Sequence, residues 1–297
     1  MTFSVYGATG IIGTYFTELY DSIAIPRDEL EPLTREVLYL ISTTSNFYTN
    51  PWIHSDTNLT ALLKRLEACH ENGVKTFNFV SSWFVYGDTN LLMKEEDCCN
   101  PTGLYPITKR CAEQIVIDYC SRHNMNWRIL RLGNVYGGPD KSIGSRNVLR
   151  YLIDSLREDK DVNIVAGLTR DYIHIYDACR AIDLVCSKGK VNEIYNVGSG
   201  SSIPVAEAVE ICKKHLKSSS NCRTFQPTNA ESRVKMALDC GKIFALGFRP
   251  LISLEEGLED LCKSQKFCTP AHFLTVEKSK QQSNAWKAMV GFLRDLM

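Results

Sequence analysis

The sequence has no excess of charge of one sign, no long apolar run and no internal repeat. Its 297 residues carry 34 basic and 34 acidic side chains, so charge does not favour a nucleic acid or a membrane surface as partner. No stretch of about 18 apolar residues occurs, which argues against a transmembrane helix. The chain enters a strand-like segment at once, which argues against a secretory signal. We therefore expect a cytoplasmic protein with no nucleic-acid and no membrane partner.

The twelve cysteines lack the C-x-x-C spacing of a zinc or redox site, although their number invites a disulfide interpretation. They are scattered through helix-like segments of a long chain. Cys98 and Cys99 are adjacent in a polar stretch, and we expect them to be free thiols. These patterns predict no metal site and a reducing compartment.

What the sequence does contain is an alternation of strand-like and helix-like segments. The apolar segments 3–6, 22–26, 37–41, 76–80 and 127–132 are predicted strands, and 11–20, 57–72 and 105–122 are predicted helices. Continuous apolar runs such as "VLYLI" at 37–41 are typical of strands that are buried on both faces. The alternation predicts an α/β protein with a Rossmann-type doubly wound parallel sheet. The stretch before residue 37 is short, so one βα unit is expected to be abbreviated there.

A glycine-rich loop follows the first predicted strand. "GATGIIG" places Gly7, Gly10 and Gly13 where a tight turn, a close approach to a pyrophosphate and close helix packing require them. The loop also contains Thr9, Ile11 and Ile12, and its amides together with the helix dipole hold phosphates in such sites. A plain tight turn is the alternative. The position between strand and helix favours nucleotide binding.

Tyr105 and Lys109 lie four residues apart and therefore on one face of a predicted helix. An adjacent ammonium lowers the pKa of a phenol, which otherwise lies near 10. This spacing predicts that Tyr105 is a general acid or base near neutral pH. Taken alone, the pair is common by chance on a protein surface.

Six motifs together resemble the extended short-chain dehydrogenase/reductases, and more closely their NAD(P)-dependent nucleotide-sugar epimerase/dehydratase family. They are GATGIIG (7–13), SSWFVYG (81–87), YPITK (105–109), RLGNVYGG (131–138), RDYIHIYD (170–177) and YNVGSG (195–200). The resemblance implies an NAD(P)-binding Rossmann domain at 1–140, to which later strands can add, and a nucleotide-sugar-binding lobe at 141–265. Members are commonly dimers, so a homodimer is expected.

The resemblance also implies residue roles. Tyr105 and Lys109 match the catalytic pair, and Ser82 matches the residue that bonds the reacting sugar oxygen. Asn134 and Arg170 match residues at the substrate phosphates. Arg233 matches a second phosphate arginine, with Lys235 as its competitor. For Asn134, Arg170 and Arg233, an ordinary surface role is the alternative.

Trp83 and Phe84 occupy the positions where the 4,6-dehydratases of this family carry an acidic pair, Asp and Glu. Neither ring can transfer the proton that elimination of water requires. The Cys and His that the family's 3,5-epimerising members use are also missing, at Phe84 and around Arg146 and Asn147. The sequence therefore predicts redox chemistry at one carbon, most simply C4, and no 4,6-dehydratase activity. As rings, Trp83 and Phe84 would shape the sugar pocket.

The cofactor site departs from the family pattern in one place. "LISTTSN" (40–46) replaces the usual residues after the strand, which makes Ser42, Thr43 and Thr44 candidate lining residues. Asn58 matches a family asparagine at the start of the next helix. Asp28 favours NAD through a ribose 2′-hydroxyl, whereas Arg27 favours NADP through a 2′-phosphate. The expected cofactor is NAD or NADP, with NAD preferred.

Three functions remain open at this point. The first is a nucleotide-sugar C4 epimerase of the UDP-glucose 4-epimerase type, acting on a nucleotide-diphosphate sugar. The second is an NADPH-dependent 4-keto-sugar reductase, and the third is a non-catalytic NAD(P)-binding regulator or scaffold, which would not need Ser82, Tyr105 and Lys109 together. Residues 266–297 form a tail outside the resemblance. Its end, "NAWKAMVGFLRDLM", predicts an amphipathic helix with one apolar stripe.

Overall fold

The computed structural model describes residues 1–44, 50–87, 92–137, 148–226 and 235–263. Arg146, Asn147, Arg233 and the predicted tail helix lie outside these ranges. So do the last residues of the segment 40–46 and of the motif 131–138.

The centre of the fold is a six-stranded parallel sheet in the order β11-β6-β4-β3-β1-β2. Its strands are β1 (Phe3–Tyr6), β2 (Ser22–Ile25), β3 (Glu36–Tyr39), β4 (Thr76–Ser82), β6 (Asn126–Leu132) and β11 (Glu193–Val197). β4 is buried along its whole length, as its unbroken apolar pattern predicts. The doubly wound parallel sheet is confirmed.

Helices cover both faces of this sheet. They are α1 (Ile11–Leu19), α2 (Trp52–Ser55), α3 (Ala61–Glu71), α4 (Leu104–Arg122) and α6 (Ile175–Lys188). Side chains of α1 and α6 share one hydrophobic cluster with one face, and those of α3 and α4 share a second cluster with the other. The predicted helix at 57–72 is divided, because Asp56–Thr60 forms a π-helical turn before α3.

The remaining elements come largely from the second half of the chain. The helices are α5 (Val148–Arg157), α7 (Val205–Leu216), α8 (Gly241–Ala245) and α9 (Leu254–Lys263), and α5, α7 and α9 share a third hydrophobic cluster. The short strands pair as β5 (Leu92–Met93) with β14 (Ala237–Leu238), β7 (Asn134–Tyr136) with β10 (Tyr172–His174), β8 (Val162–Val165) with β13 (Cys222–Phe225), and β9 (Thr169–Arg170) with β12 (Ile203–Pro204). β11 and α6 join the main sheet from beyond residue 140, while the lobe boundaries stay a prediction.

The abbreviated unit lies between β2 and β3. Residues 26–35 connect these parallel strands without a helix, although such a crossover ordinarily needs a dozen or more residues. The connection opens with a turn in which the Glu29 amide donates to the Pro26 carbonyl at 3.1 Å. It then crosses β1, where the Ser4 hydroxyl accepts from the amides of Leu33 and Thr34, each at 2.9 Å. One strand–helix unit is therefore replaced by a ten-residue link.

Candidate active site

The glycine loop joins β1 to α1 at the carboxyl edge of the sheet. The Gly10 amide donates to the Gly7 carbonyl at 3.0 Å, and Gly7 has a φ of 84°, which favours glycine. A Cβ on Gly13 would lie 2.2 Å from the Gly7 carbonyl oxygen, so only glycine lets the helix pack this closely on the loop. Gly10 precedes the free amides of α1, and the turn therefore fits a dinucleotide diphosphate.

Ser82 and Tyr105 meet at the end of β4. The Tyr105 side chain lies near the hydroxyls of Ser82 and Ser42, and both hydroxyls act to lower the pKa of its phenol. Ser82 ends its strand and also accepts the Phe84 amide at 3.3 Å, which fixes its hydroxyl at the start of a short helical turn, Trp83–Tyr86. Ser82 and Tyr105, which the sequence predicts to be catalytic, thus lie together with Ser42, which it predicts to line the cofactor site. Among these three residues, the Tyr105 phenol is the group that can carry a proton.

Lys109 lies beneath Tyr105, and its surroundings correct one expectation. Its ammonium donates to the Val80 carbonyl at 2.6 Å and lies 4.1 Å from the centre of the Phe79 ring. Burial lowers the pKa of Lys109 to about 7, against the opposing effect of Glu113. Burial also raises the pKa of Tyr105, and the neighbouring hydroxyls of Ser82 and Ser42 only partly offset that effect. The prediction that the ammonium lowers the tyrosine's pKa was wrong for this structure, because Lys109 is itself buried and bonded to the backbone.

Asn58 joins the loop after β3 to the catalytic helix. Its side-chain oxygen accepts from the Thr43 amide at 3.0 Å and from the Ser42 hydroxyl at 3.3 Å. Its side-chain nitrogen donates to the Thr108 hydroxyl at 3.0 Å, and that hydroxyl bonds to the Tyr105 carbonyl at 3.0 Å. Asn58 is buried on the π-helical turn. It therefore positions both Ser42 and the Tyr105 turn of α4.

Trp83 and Phe84 form an aromatic stack beside Tyr105. Their ring centroids lie 4.2 Å apart, and the Phe84 ring stands edge-on to the Tyr105 ring at 6.1 Å. The guanidinium of Arg170 lies over the Trp83 ring at 5.5 Å. Arg170 is thereby brought to the same side of the site as Tyr105. No acidic side chain occupies either position after Ser82.

The other predicted residues are less closely involved. The Asn134 side chain is half-buried and donates to the Asp171 carbonyl at 3.2 Å. Arg27, Asp28 and Thr44 are exposed. Arg233 lies outside the described residues, and no finding tests its role or that of Lys235. The assigned roles of all these residues stay predictions.

Sequence reasoning missed a buried ion pair under the site. Glu113 accepts from Arg131 at 3.0 and 2.9 Å, from the Ser81 hydroxyl at 2.6 Å and from Arg110 at 2.8 Å. It ties α4, one turn after Lys109, to β4 beside Ser82 and to β6. The signal was an arginine within the apolar segment "WRILRL" together with a glutamate four residues after Lys109.

Three further observations bear on the sequence-based expectations. No helix in the described ranges is long and apolar enough to cross a membrane. The eleven cysteines that the structure describes, including Cys98 and Cys99, are free thiols, as predicted for that pair. Within the same ranges no cluster of three or more His, Cys, Asp or Glu side chains is arranged to hold a metal.

A sequence model of the NAD dependent epimerase/dehydratase family matches residues 32–198, more than half of the chain. Relatives include a UDP-glucuronate 4-epimerase from Thermodesulfobacterium geofontis, 28% identical over 71% of this chain and 65% of that protein. A dTDP-4-dehydro-6-deoxyglucose reductase from Escherichia coli is 28% identical over 66% of this chain and 63% of that protein. A human dTDP-D-glucose 4,6-dehydratase is 32% identical over 65% of this chain and 57% of that protein.

Among solved structures, UDP-glucose 4-epimerase from Thermotoga maritima, determined with UDP-glucose, superimposes with a TM-score of 0.77. It is 24% identical, and the superposition covers 87% of this chain and 96% of that one. This likeness shows the fold. The chain aligns with less than two thirds of the length of each of the three relatives named above.

Proposed function

The chain belongs to the NAD dependent epimerase/dehydratase family, and on that premise we propose that it is a nucleotide-sugar 4-epimerase. A bound NAD or NADP supplies reversible oxidation of the sugar carbinol. The chain supplies the diphosphate cradle at Gly7, Gly10 and Gly13, together with the proton-transfer groups. The observation that carries the proposal is the proximity of the Tyr105 and Ser82 side chains at the carboxyl edge of the sheet.

In this proposal Tyr105 takes the proton from the C4 hydroxyl and later returns it. Ser82 orients the same oxygen, because its hydroxyl lies next to the phenol and accepts a hydrogen bond from the Phe84 amide. Burial favours the protonated Tyr105 phenol in the ligand-free site. The phenolate that takes this proton would be favoured by the positive charge of an oxidised nicotinamide beside it. Lys109 is placed to hold the cofactor side of the site one turn below.

Arg170 supports recognition of a nucleotide-diphosphate sugar. Its guanidinium lies on the Trp83 ring, next to the site, and arginine is well suited to bind diphosphate oxygens. Asn134 and Arg233 are proposed to assist it on the strength of their motif positions alone. A homodimer and a cytoplasmic location are proposed with them, and the free thiols agree with a reducing compartment.

We exclude 4,6-dehydration from the proposal, although a dehydratase is among the relatives. The two side chains after Ser82 are stacked rings, which carry no proton that can be exchanged with a sugar carbon. Removal of water across two carbons needs a further acid and base beside Tyr105.

A 4-keto-sugar reductase is the second candidate. The ten-residue link between β2 and β3 replaces a strand–helix unit next to β2, the strand at whose end the adenosine would bind. A smaller adenosine site favours release of the cofactor after each turnover. The E. coli relative is described as such a reductase. A non-catalytic regulator is disfavoured by the joint presence of Ser82, Tyr105 and Lys109.

A panel assay tests the proposal. Purified protein is incubated with NAD and UDP-glucose, UDP-galactose, UDP-glucuronate or UDP-N-acetylglucosamine, and separately with NADPH and nucleotide 4-keto sugars. Chromatography of the products should show 4-epimers in the first arm. NADPH consumption confined to the second arm would favour the reductase. Tyr105→Phe serves as the blank in both arms, and no conversion above this blank in either arm would contradict the proposal.

A further inference from the structure

The sheet ends at β2, which pairs only with β1 among the described residues. In the common doubly wound order 3-2-1-4-5-6, a third strand lies outside strand 2. Here the link 26–35 runs directly to β3 on the other side of β1. The outer strand is therefore absent, because every residue between β2 and β3 is described and none forms a strand. Ile23 and Ala24 of β2 are consequently exposed. The adenosine side of the sheet is an open edge.

The link, residues 26–35, adds little structure beside the open edge of β2. Arg27 and Asp28 stand at the tip of the turn that follows β2, and both are exposed. The turn is fixed from below, because Arg65 donates to the Arg27 carbonyl at 2.7 Å and the Tyr6 phenol donates to the Leu30 carbonyl. Leu33 is 68% exposed. This segment is therefore held close to β1 and contributes no wall beyond β2.

The diphosphate and nicotinamide end of the proposed cofactor site is tightly packed. The glycine loop packs so tightly that a Cβ on Gly13 would overlap the backbone, and Lys109 is buried beneath Tyr105. The Tyr105 side chain lies next to Ser42 at the carboxyl edge. Among the described residues, the features that fit a dinucleotide thus lie at its diphosphate and nicotinamide portions.

We propose that this chain holds its dinucleotide by the diphosphate and nicotinamide ends, leaves the adenosine in solvent, and exchanges the cofactor freely. The inference rests on the proposed use of NAD or NADP. Binding free energy comes from apolar area and polar contacts removed from water, and an adenosine at an open edge adds little of either. A nucleotide sugar bound over the nicotinamide would retain the cofactor during one cycle. Activity should therefore depend on added dinucleotide.

The test is displacement of NADH, followed by its fluorescence, with two competitors that differ only in adenosine. ADP and methyl diphosphate present the same diphosphate, so their ratio of inhibition constants reports the adenosine contribution. We expect ADP to bind less than about tenfold better than methyl diphosphate, a difference of at most about 1.4 kcal/mol. We also expect NADH-loaded protein to lose its cofactor on a desalting column.

Gly10→Ala provides the control. A methyl there meets only the Gly7 carbonyl oxygen, at 3.3 Å, so the loop can keep its fold while the diphosphate is obstructed. The variant should lose NADH, ADP and methyl diphosphate together. An ADP advantage well above tenfold, or a dinucleotide that survives purification and desalting, would overturn the inference while leaving the proposed function intact. No NADH binding by the wild type would contradict the proposed function itself.

Discussion

The side chains of Ser82 and Tyr105 lie next to each other where β4 ends over the start of α4. They come from positions 23 residues apart, and they meet because Ser82 closes its strand while Tyr105 lies in the first turn of its helix. A proton can thus pass between the phenol and an oxygen that Ser82 holds. The functional proposal depends on this pair.

Tyr105→Phe should lower turnover by about 10²- to 10⁴-fold, the usual contribution of a general acid or base. Dinucleotide binding should change little, because the glycine loop and Lys109 are untouched. Turnover is followed by product chromatography and binding by NADH fluorescence. Equal losses of rate and of cofactor affinity would show that Tyr105 is needed for binding instead of proton transfer.

Lys109→Met should remove a pH-dependent part of the free energy of unfolding. The folded pKa of Lys109 is about 7, below its ordinary value of 10.5, so between these values the unfolded chain binds more protons and stability rises with pH. The slope from this one group reaches at most about 1.4 kcal/mol per pH unit. Urea unfolding of ligand-free wild type and variant from pH 7 to 9 measures the difference between the two slopes.

Buried thiols titrate in both proteins and cancel from that difference. We expect the wild type to gain stability relative to the variant as pH rises through this window. Parallel curves would show that Lys109 keeps an ordinary pKa in the folded protein.

Breaking the buried pair of Glu113 and Arg131 should be costly. Glu113→Gln leaves the buried Arg131 without a charged partner and should lower the free energy of unfolding by about 3–5 kcal/mol. Arg131→Met should cost less, because Glu113 keeps its ion pair with Arg110. The double variant should lose less than the sum of the two single losses. Urea denaturation of the four proteins completes the cycle, with the exposed pair Asp118 and Arg122 mutated in parallel as the control. Additive losses would mean that the pair does not act as a unit.

Trp83 and Phe84 should prevent formation of a 4-keto-6-deoxy sugar. Incubation of the protein with NAD and UDP-, dTDP-, GDP- or CDP-glucose should give no product lighter by one water. Mass spectrometry of the nucleotide sugars measures this directly, with a known 4,6-dehydratase as the positive control. Dehydrated product would show that elimination uses groups other than the two residues after Ser82.

Local patterns predicted the parts of this protein that depend on neighbours in sequence. The buried run of β4, the glycine turn at 7–13 and the Tyr105–Lys109 spacing were all legible, because sheet burial, φ preferences and helix periodicity act over a few residues. The state of the Tyr105 proton was not, since it depends on the burial of Tyr105 itself, on Ser82 and on Ser42, which lies 63 residues away. The Glu113–Arg131 pair was missed for the same reason, because its two partners belong to different elements.

The central claim is that redox chemistry takes place at C4 of a nucleotide sugar with Tyr105 as proton carrier. The most direct test uses a UDP-sugar deuterated at C4, incubated with NAD and wild-type protein or Tyr105→Phe, and analysed by NMR and mass spectrometry. The account predicts a 4-epimer that keeps its deuterium at C4, and no such product from the variant. Inversion with loss of deuterium to solvent would show that C4 is deprotonated instead of oxidised, and would contradict the account.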